Sequence, residues 1–169
     1  MDMDMDILED ILTPEECKKY IDLINDGEDV EIINRPFYAS YYRKLVMDSN
    51  FTNVLYERLD KLGLIKKYNI KYLNNCLRLS KYDEGGEFKI HKDGFFQDKL
   101  GNRSFMTLNI FLNNDFEDGG TSFYDENKNL VMTANPKPGR GVIFDSQIYH
   151  SGNIVKNGNK YLLRTDAMK

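Results

Sequence analysis

Arg78-Leu79-Ser80-Lys81-Tyr82-Asp83-Glu84-Gly85-Gly86-Glu87-Phe88-Lys89-Ile90-His91-Lys92-Asp93 is the stretch on which the reading of this chain turns. Leu77 and Leu79 alternate with Arg78 and Ser80, and Phe88 and Ile90 alternate with Lys89 and His91, the period-two pattern of strands. Gly85-Gly86 is a turn signal between the two runs and predicts two short strands. On extended backbone residues i and i+2 point to the same side, so His91 and Asp93 can offer an imidazole and a carboxylate to one point. His-x-Asp alone is common, and a lone histidine is usually a surface or satisfied core residue. The pair therefore needs a third partner from elsewhere in the chain.

The chain has two histidines, and the other is His150, 59 residues after His91 and just beyond the strand-like Gly141-Val142-Ile143-Phe144-Asp145. Two imidazoles and one carboxylate on one face of an octahedron leave positions open, the arrangement of non-heme Fe(II) oxygenases. Further on, Lys160-Tyr161-Leu162-Leu163-Arg164 reads as a strand with Lys160, Leu162 and Arg164 on one face. A 2-oxoglutarate cosubstrate that chelates iron through its keto-acid end needs a cation for its distal carboxylate. Lys160 offers a point charge and Arg164 a planar fork. Either can fill the role, and for any one lysine or arginine a solvated surface position is the ordinary alternative.

Outward from this stretch, Phe105, Thr107, Asn109 and Phe111 alternate with Met106, Leu108, Ile110 and Leu112. Gly119-Gly120, Pro138-Gly139 and Asn157-Gly158 punctuate the remaining strands, which predicts a sandwich or jelly roll. Towards the N-terminus the period changes. Thr13-Pro14-Glu15-Glu16 is a capping box with proline at the first helical position, followed by Cys17, Tyr20, Ile21 and Ile24 at helical spacing, with Gly27 just beyond. A second helix is expected over Asn50 to Leu62, before Gly63. The expectation is one domain over 1–169, α+β and mainly β. Helical support with some strand covers about 1–72, and the β core about 73–169.

The composition narrows the function classes. A net charge of -4 argues against a broad basic face for a phosphate backbone. Cys17 and Cys76 make neither a disulfide framework nor a Cys-x-x-Cys redox motif. The acidic opening Met1-Asp2-Met3-Asp4-Met5-Asp6 lacks the basic and apolar regions of a signal peptide. No apolar run approaches the ~20 residues of a membrane span. The expectation is a cytoplasmic protein with no membrane partner.

From about Leu12 to Met168 the chain resembles the prolyl 4-hydroxylase-like group of 2-oxoglutarate/Fe(II) oxygenases. The resemblance is carried by Leu12-Thr13-Pro14-Glu15-Glu16-Cys17, by the opening stretch from Arg78 to Asp93, and by Leu112-Asn113-Asn114 with Gly119-Gly120-Thr121-Ser122-Phe123-Tyr124. Pro138-Gly139-Arg140-Gly141-Val142-Ile143-Phe144 and the segment from His150 to Lys160 complete it. Ser122 and Tyr124 stand where many relatives have Thr and Phe, a departure that keeps size or polarity.

The resemblance implies a double-stranded β-helix (jelly roll) with supporting N-terminal helices. It implies catalytic iron on His91, Asp93 and His150, and a cosubstrate cation at Lys160, with Arg164 at a position some relatives favour. Tyr82 matches a pocket tyrosine, and Thr107 and Asn109 lie on a strand that lines the pocket. The implied cofactors are Fe(II), 2-oxoglutarate and O2, with ascorbate as a further candidate. The implied reaction is C–H hydroxylation coupled to conversion of 2-oxoglutarate into succinate and CO2. The expected substrate is a prolyl residue of a peptide or protein, by analogy alone. Residues 94–103 read as a loop that could cover the site. The same chemistry on a small molecule or a nucleic acid, and a non-catalytic β-barrel binding module, stay open as alternatives.

Overall fold

The computed structural model describes residues 3–35 and 38–169; Met1 and Asp2 of the acidic opening lie outside the described residues. Strand β1 (Met5–Leu8) precedes helix α1 (Pro14–Asn25). The helix starts where its sequence says. Thr13 accepts from the Glu16 backbone N–H at 3.1 Å, and the Glu16 carboxylate accepts from the Thr13 N–H at 2.8 Å. Together these satisfy two otherwise orphaned donors. Gly27 follows the C-cap with φ +77°, the left-handed conformation that ends a helix cheaply.

Two strands follow that the sequence pattern did not specify, β2 (Val30–Arg35) and β3 (Tyr38–Met47). Helix α2 (Ser49–Lys61) is close to its expected range and is capped by Asp48, which accepts from the Phe51 N–H at 3.0 Å. A short helix α3 (Leu64–Tyr68) comes after Gly63. The N-terminal part is thus more than helical support, since β1 and β3 extend the sheet. The Arg58 guanidinium grips both Glu16 carboxylate oxygens, at 2.7 and 3.0 Å, and locks α2 to α1.

The remaining strands are β4 (Tyr72–Leu73), β5 (Cys76–His91), β6 (Ser104–Phe111), β7 (Glu117–Asp118), β8 (Thr121–Tyr124), β9 (Leu130–Ala134), β10 (Gly141–Asp145), β11 (Tyr149–Gly152), β12 (Val155–Lys156) and β13 (Lys160–Met168). One antiparallel sheet runs β1-β10-β6-β13-β5-β11-β8-β9, with β3 also paired to β5 and β2 to β3. The sheet folds back on itself: Phe123 of β8 packs edge-on against Phe144 of β10 at 5.0 Å. This is the jelly roll expected from the sequence.

The expected turn at Gly85-Gly86 is not a reversal. Strand β5 runs through it. Opposite, β3 passes from Tyr41, paired with Tyr82, to Ala39, paired with Glu87. The extra residues bulge out of the ladder, and the strand resumes in the same direction because β3 and β11 both pair with its second half.

Alternation gives the sheet two different faces. Leu77 and Leu79 of β5, Leu108 and Ile110 of β6, and Leu163 of β13 face the helices, all fully buried. Each such side chain contributes about 1.5–3 kcal/mol by leaving water. The opposite face of the same strands carries Arg78, Ser80, Tyr82, Asn109, Lys160 and Arg164, and it encloses a cavity. The apolar face fixes the register, and the register delivers the polar set inward.

Candidate metal centre

His91 is the last residue of β5, and His150 lies directly opposite it on β11. Asp93 stands two residues beyond the strand, so its position is not set by pleating as the i, i+2 argument assumed. Backbone bonds hold it instead. The Asp93 N–H donates to the Ser146 carbonyl at 2.9 Å, and the Gln147 side-chain amide donates to the Asp93 carbonyl at 3.1 Å. The turn between β10 and β11 therefore supports both Asp93 and the approach to His150.

The three side chains converge. Asp93 Oδ1 is 3.4 Å from His91 Nε2 and 3.3 Å from His150 Nε2, and one ligand atom from each residue lies within 4.8 Å of the others. Each imidazole is oriented from behind. His91 Nδ1 is 2.6 Å from the Lys89 carbonyl, and His150 Nδ1 is 2.9 Å from the Ile148 carbonyl. A carbonyl only accepts, so each Nδ1 carries a proton, and Nε2 is the nitrogen each ring turns to the centre. The Phe88 ring stacks on His91 at 3.6 Å, and Phe144 meets His150 at 4.7 Å. The result is two imidazole nitrogens and a carboxylate oxygen brought together beside the Phe88 and Phe144 rings. That donor set fits a divalent cation such as Fe(II), with backbone carbonyls fixing the tautomers as in ligand histidines generally.

Asp93 is deeply buried, which alone would raise its carboxyl. Contacts with His150 and His91 and the charge of Arg164 outweigh burial and hold it well below the usual carboxylate range. Its second oxygen, Oδ2, accepts from the Thr107 hydroxyl at 2.7 Å. Thr107, expected at the cosubstrate, is buried against the carboxylate through this bond.

Lys160 and Arg164 are both on the cavity face of β13, as expected, but their surroundings differ. Arg164 Nη1 is 3.4 Å from Asp93 Oδ1, and its Nη2 is 3.2 Å from Asp166 Oδ1. Lys160 is 1% exposed and, among the described residues, has no carboxylate within ion-pair distance. Its Nζ lies 5.3 Å from the Tyr82 ring centroid and 5.7 Å from that of Phe111. Burial without a counter-charge pushes its ammonium down to about 7. Tyr82 lines the same cavity, directly across the ladder from Lys160, and stacks on Tyr41 at 5.0 Å.

The inner cavity has about 80 Å³ of free space, with Lys160 and Ser80 in its walls and His91, Asp93 and His150 on one side. Past His91 and Asp93 lies an outer cavity of about 430 Å³, bounded by Arg43, Arg78, Phe95 and Phe96. Phe95 and Phe96 come from the 94–103 loop. That loop is knotted around Asp98, which accepts from the Leu100 and Asn102 backbone N–H groups and from the Tyr72 hydroxyl. Arg43 belongs to no motif that the sequence singles out. The available signal was the alternation Tyr41-x-Arg43, which puts both on one face of β3. Among the described residues, no helix is long and apolar enough to cross a membrane.

Comparison with known proteins accords with this geometry. No curated protein sequence matches the chain. Many solved structures match its fold, three prolyl hydroxylases among them. A viral collagen prolyl hydroxylase of Paramecium Bursaria Chlorella virus-1, in complex with 2-oxoglutarate, gives a TM-score of 0.71 at 18% identity, covering 97% of this chain and 95% of that one. A Pseudomonas putida prolyl-4-hydroxylase gives 0.72 at 13%, covering 99% and 93%. A Trichoplax adhaerens prolyl hydroxylase, in complex with a hypoxia inducible factor peptide fragment, gives 0.69 at 13%, covering 96% and 82%. At these identities the likeness is one of fold. The sequence itself matches the model of the 2OG-Fe(II) oxygenase superfamily over residues 77–165, from the start of β5 into β13 and across all three converging side chains. The chain belongs to the 2OG-Fe(II) oxygenase superfamily, a 2-oxoglutarate-dependent dioxygenase whose cofactors are Fe(II), 2-oxoglutarate and O2.

Proposed function

We propose that this dioxygenase hydroxylates a prolyl residue of a peptide or protein, with His91, Asp93 and His150 holding the iron and Lys160 receiving the distal carboxylate of 2-oxoglutarate. The observation that carries the site assignment is the buried, uncompensated Lys160 in the wall of the cavity that His91, Asp93 and His150 also line. A buried ammonium with no anion is costly, and a dicarboxylate arriving beside it removes that cost. Arg164 is already engaged by Asp93 and Asp166, which supports Lys160 for the role. Arg164 then serves to fix the ligand carboxylate.

Bound iron would supply the activation of O2 that couples conversion of 2-oxoglutarate to succinate and CO2 with insertion of one oxygen atom into a C–H bond. The chain's own contribution is positioning. The Lys89 and Ile148 carbonyls hold each Nδ1 and so aim both Nε2 atoms inward. Thr107 and Arg164 hold the two Asp93 oxygens. Phe88, Phe144 and Tyr82 exclude water around them. The wider outer cavity supports a substrate that arrives from the surface, and the likeness to peptide-bound and collagen-directed prolyl hydroxylases supports a peptide.

The test is succinate formation by the Fe(II)-loaded protein with proline-containing peptides, followed by mass analysis of the peptide. A gain of one oxygen on proline is the expected result. Turnover confined to small molecules or nucleic acid would replace the substrate assignment and leave the site intact.

A further inference from the structure

We infer that the outer cavity selects peptides bearing a carboxylate side chain next to the oxidised residue, with Arg43 and Arg78 as its specificity-determining residues. The inference rests on the peptide-oxygenase reading above and narrows its substrate class.

The register places the two arginines together. Arg43 of β3 pairs with Ser80 of β5, and Leu45 pairs with Arg78, so Arg43 and Arg78 are diagonal neighbours on the cavity face. Side chains in that relation are within reach of one ligand. Both line the inner and the outer cavity. Neither guanidinium is saturated. Arg43 reaches Glu31 with one terminal nitrogen at 3.0 Å, while its buried Nε has no partner among the described residues. Arg78 is 3.6 Å from Asp166, which is beyond hydrogen-bond distance, and Arg164 also holds that carboxylate.

The carboxylates in reach are few. Asp93 points at the metal centre, Asp166 is shared, and Glu31 is more than half exposed to water. The chain as a whole carries -4, so this local excess of positive charge runs against its composition. A guanidinium fork pairs bidentately with a carboxylate. Tyr41, Phe88, Phe95 and Phe96 supply apolar walls beside it, a fit for a pyrrolidine ring next to an acidic side chain. Both cationic groups line the cavity, where a short acidic side chain can reach them.

The experiment uses the full chain loaded with Mn(II) and 2-oxoglutarate. The probes are blocked tetrapeptides that differ only at one residue flanking proline, which is Asp, Asn or Lys. Paramagnetic broadening of the proline resonances reports approach to the metal. Broadening about tenfold greater for Asp than for Asn is expected, with Lys weakest, as a charge-assisted pair predicts. Arg43→Gln and Arg78→Gln should each erase the Asp preference while Mn(II) still binds. Equal broadening of the Asp and Asn peptides by the Mn(II)-loaded protein would overturn this inference alone. Approach of a single-stranded oligonucleotide in place of any peptide would overturn it in favour of a nucleic-acid substrate. Failure of the protein to take up Mn(II) would overturn the metal-centre reading itself.

Discussion

Lys160→Met should make the protein more stable and unable to bind 2-oxoglutarate. Lys160 is 1% exposed, and burial lowers its ammonium from 10.5 to about 7. A displacement of that size corresponds to about 5 kcal/mol of cost when the folded protein keeps the charge, an upper bound because local water and relaxation reduce it. Methionine fills a similar volume with no charge to bury. The pH dependence follows from the sign. The folded-state value lies below the unfolded one, so between pH 7 and 10.5 the folded protein binds fewer protons than the unfolded chain. Wild-type stability attributable to Lys160 therefore rises across that window, by up to about 1.4 kcal/mol per pH unit, and the advantage of the methionine variant shrinks accordingly. Urea unfolding of both metal-free proteins at pH 7 and pH 9 measures this. The gap between midpoints should be wide at pH 7 and narrower at pH 9. Equal gaps at both values, or a less stable methionine variant, would refute the claim that Lys160 is an uncompensated buried cation.

Thr107→Val removes the 2.7 Å hydrogen bond to Asp93 Oδ2, and Mn(II) affinity measured by titration should fall by about 10–100-fold without loss of folding. Asp93→Asn keeps the shape but removes the anionic ligand, and metal uptake should be lost while circular dichroism stays native. Leu163→Ala opens a hole on the helix-facing side, where Leu163 is fully buried, and should cost about 2–5 kcal/mol in denaturant unfolding while leaving metal affinity near wild type. Asp98→Ala frees the loop that carries Phe95 and Phe96, so amide exchange should accelerate across 95–103 and the Michaelis constant for peptide should rise more than kcat falls.

The parts of the molecule that were legible in the sequence are those where one local rule decides. Thr13-Pro14-Glu15-Glu16 needs no tertiary context to start a helix, and the alternation from Phe105 to Phe111 is enough to assign a strand and its faces. The centre was legible because two histidines and a nearby aspartate left few combinations. What stayed hidden depends on neighbours. Lys160 and Arg164 share a face, and only their surroundings separate them: Asp93 and Asp166 lie beside one, aromatic rings beside the other. Gly85-Gly86 carries a turn signature, but pairing of β5 to β3 and β11 on both sides of it converts the turn into a bulge. Strand β3 has Tyr41, Tyr42 and Arg43 in succession, and without knowledge of its partner neither face could be named as the inner one.

His91 and His150 are cross-strand neighbours, although 59 residues separate them along the chain. An ion gripping both would act as a clasp on the β5–β11 seam, closing the polypeptide between them into a loop that can open only if the clasp lets go. Loading with metal should then slow hydrogen exchange most steeply along this seam, and removal by a chelator should unzip it before the helix-backed strands β6 and β13. In this architecture the centre that handles oxygen would also be a fastener, and keeping it filled would protect the enzyme as well as arm it.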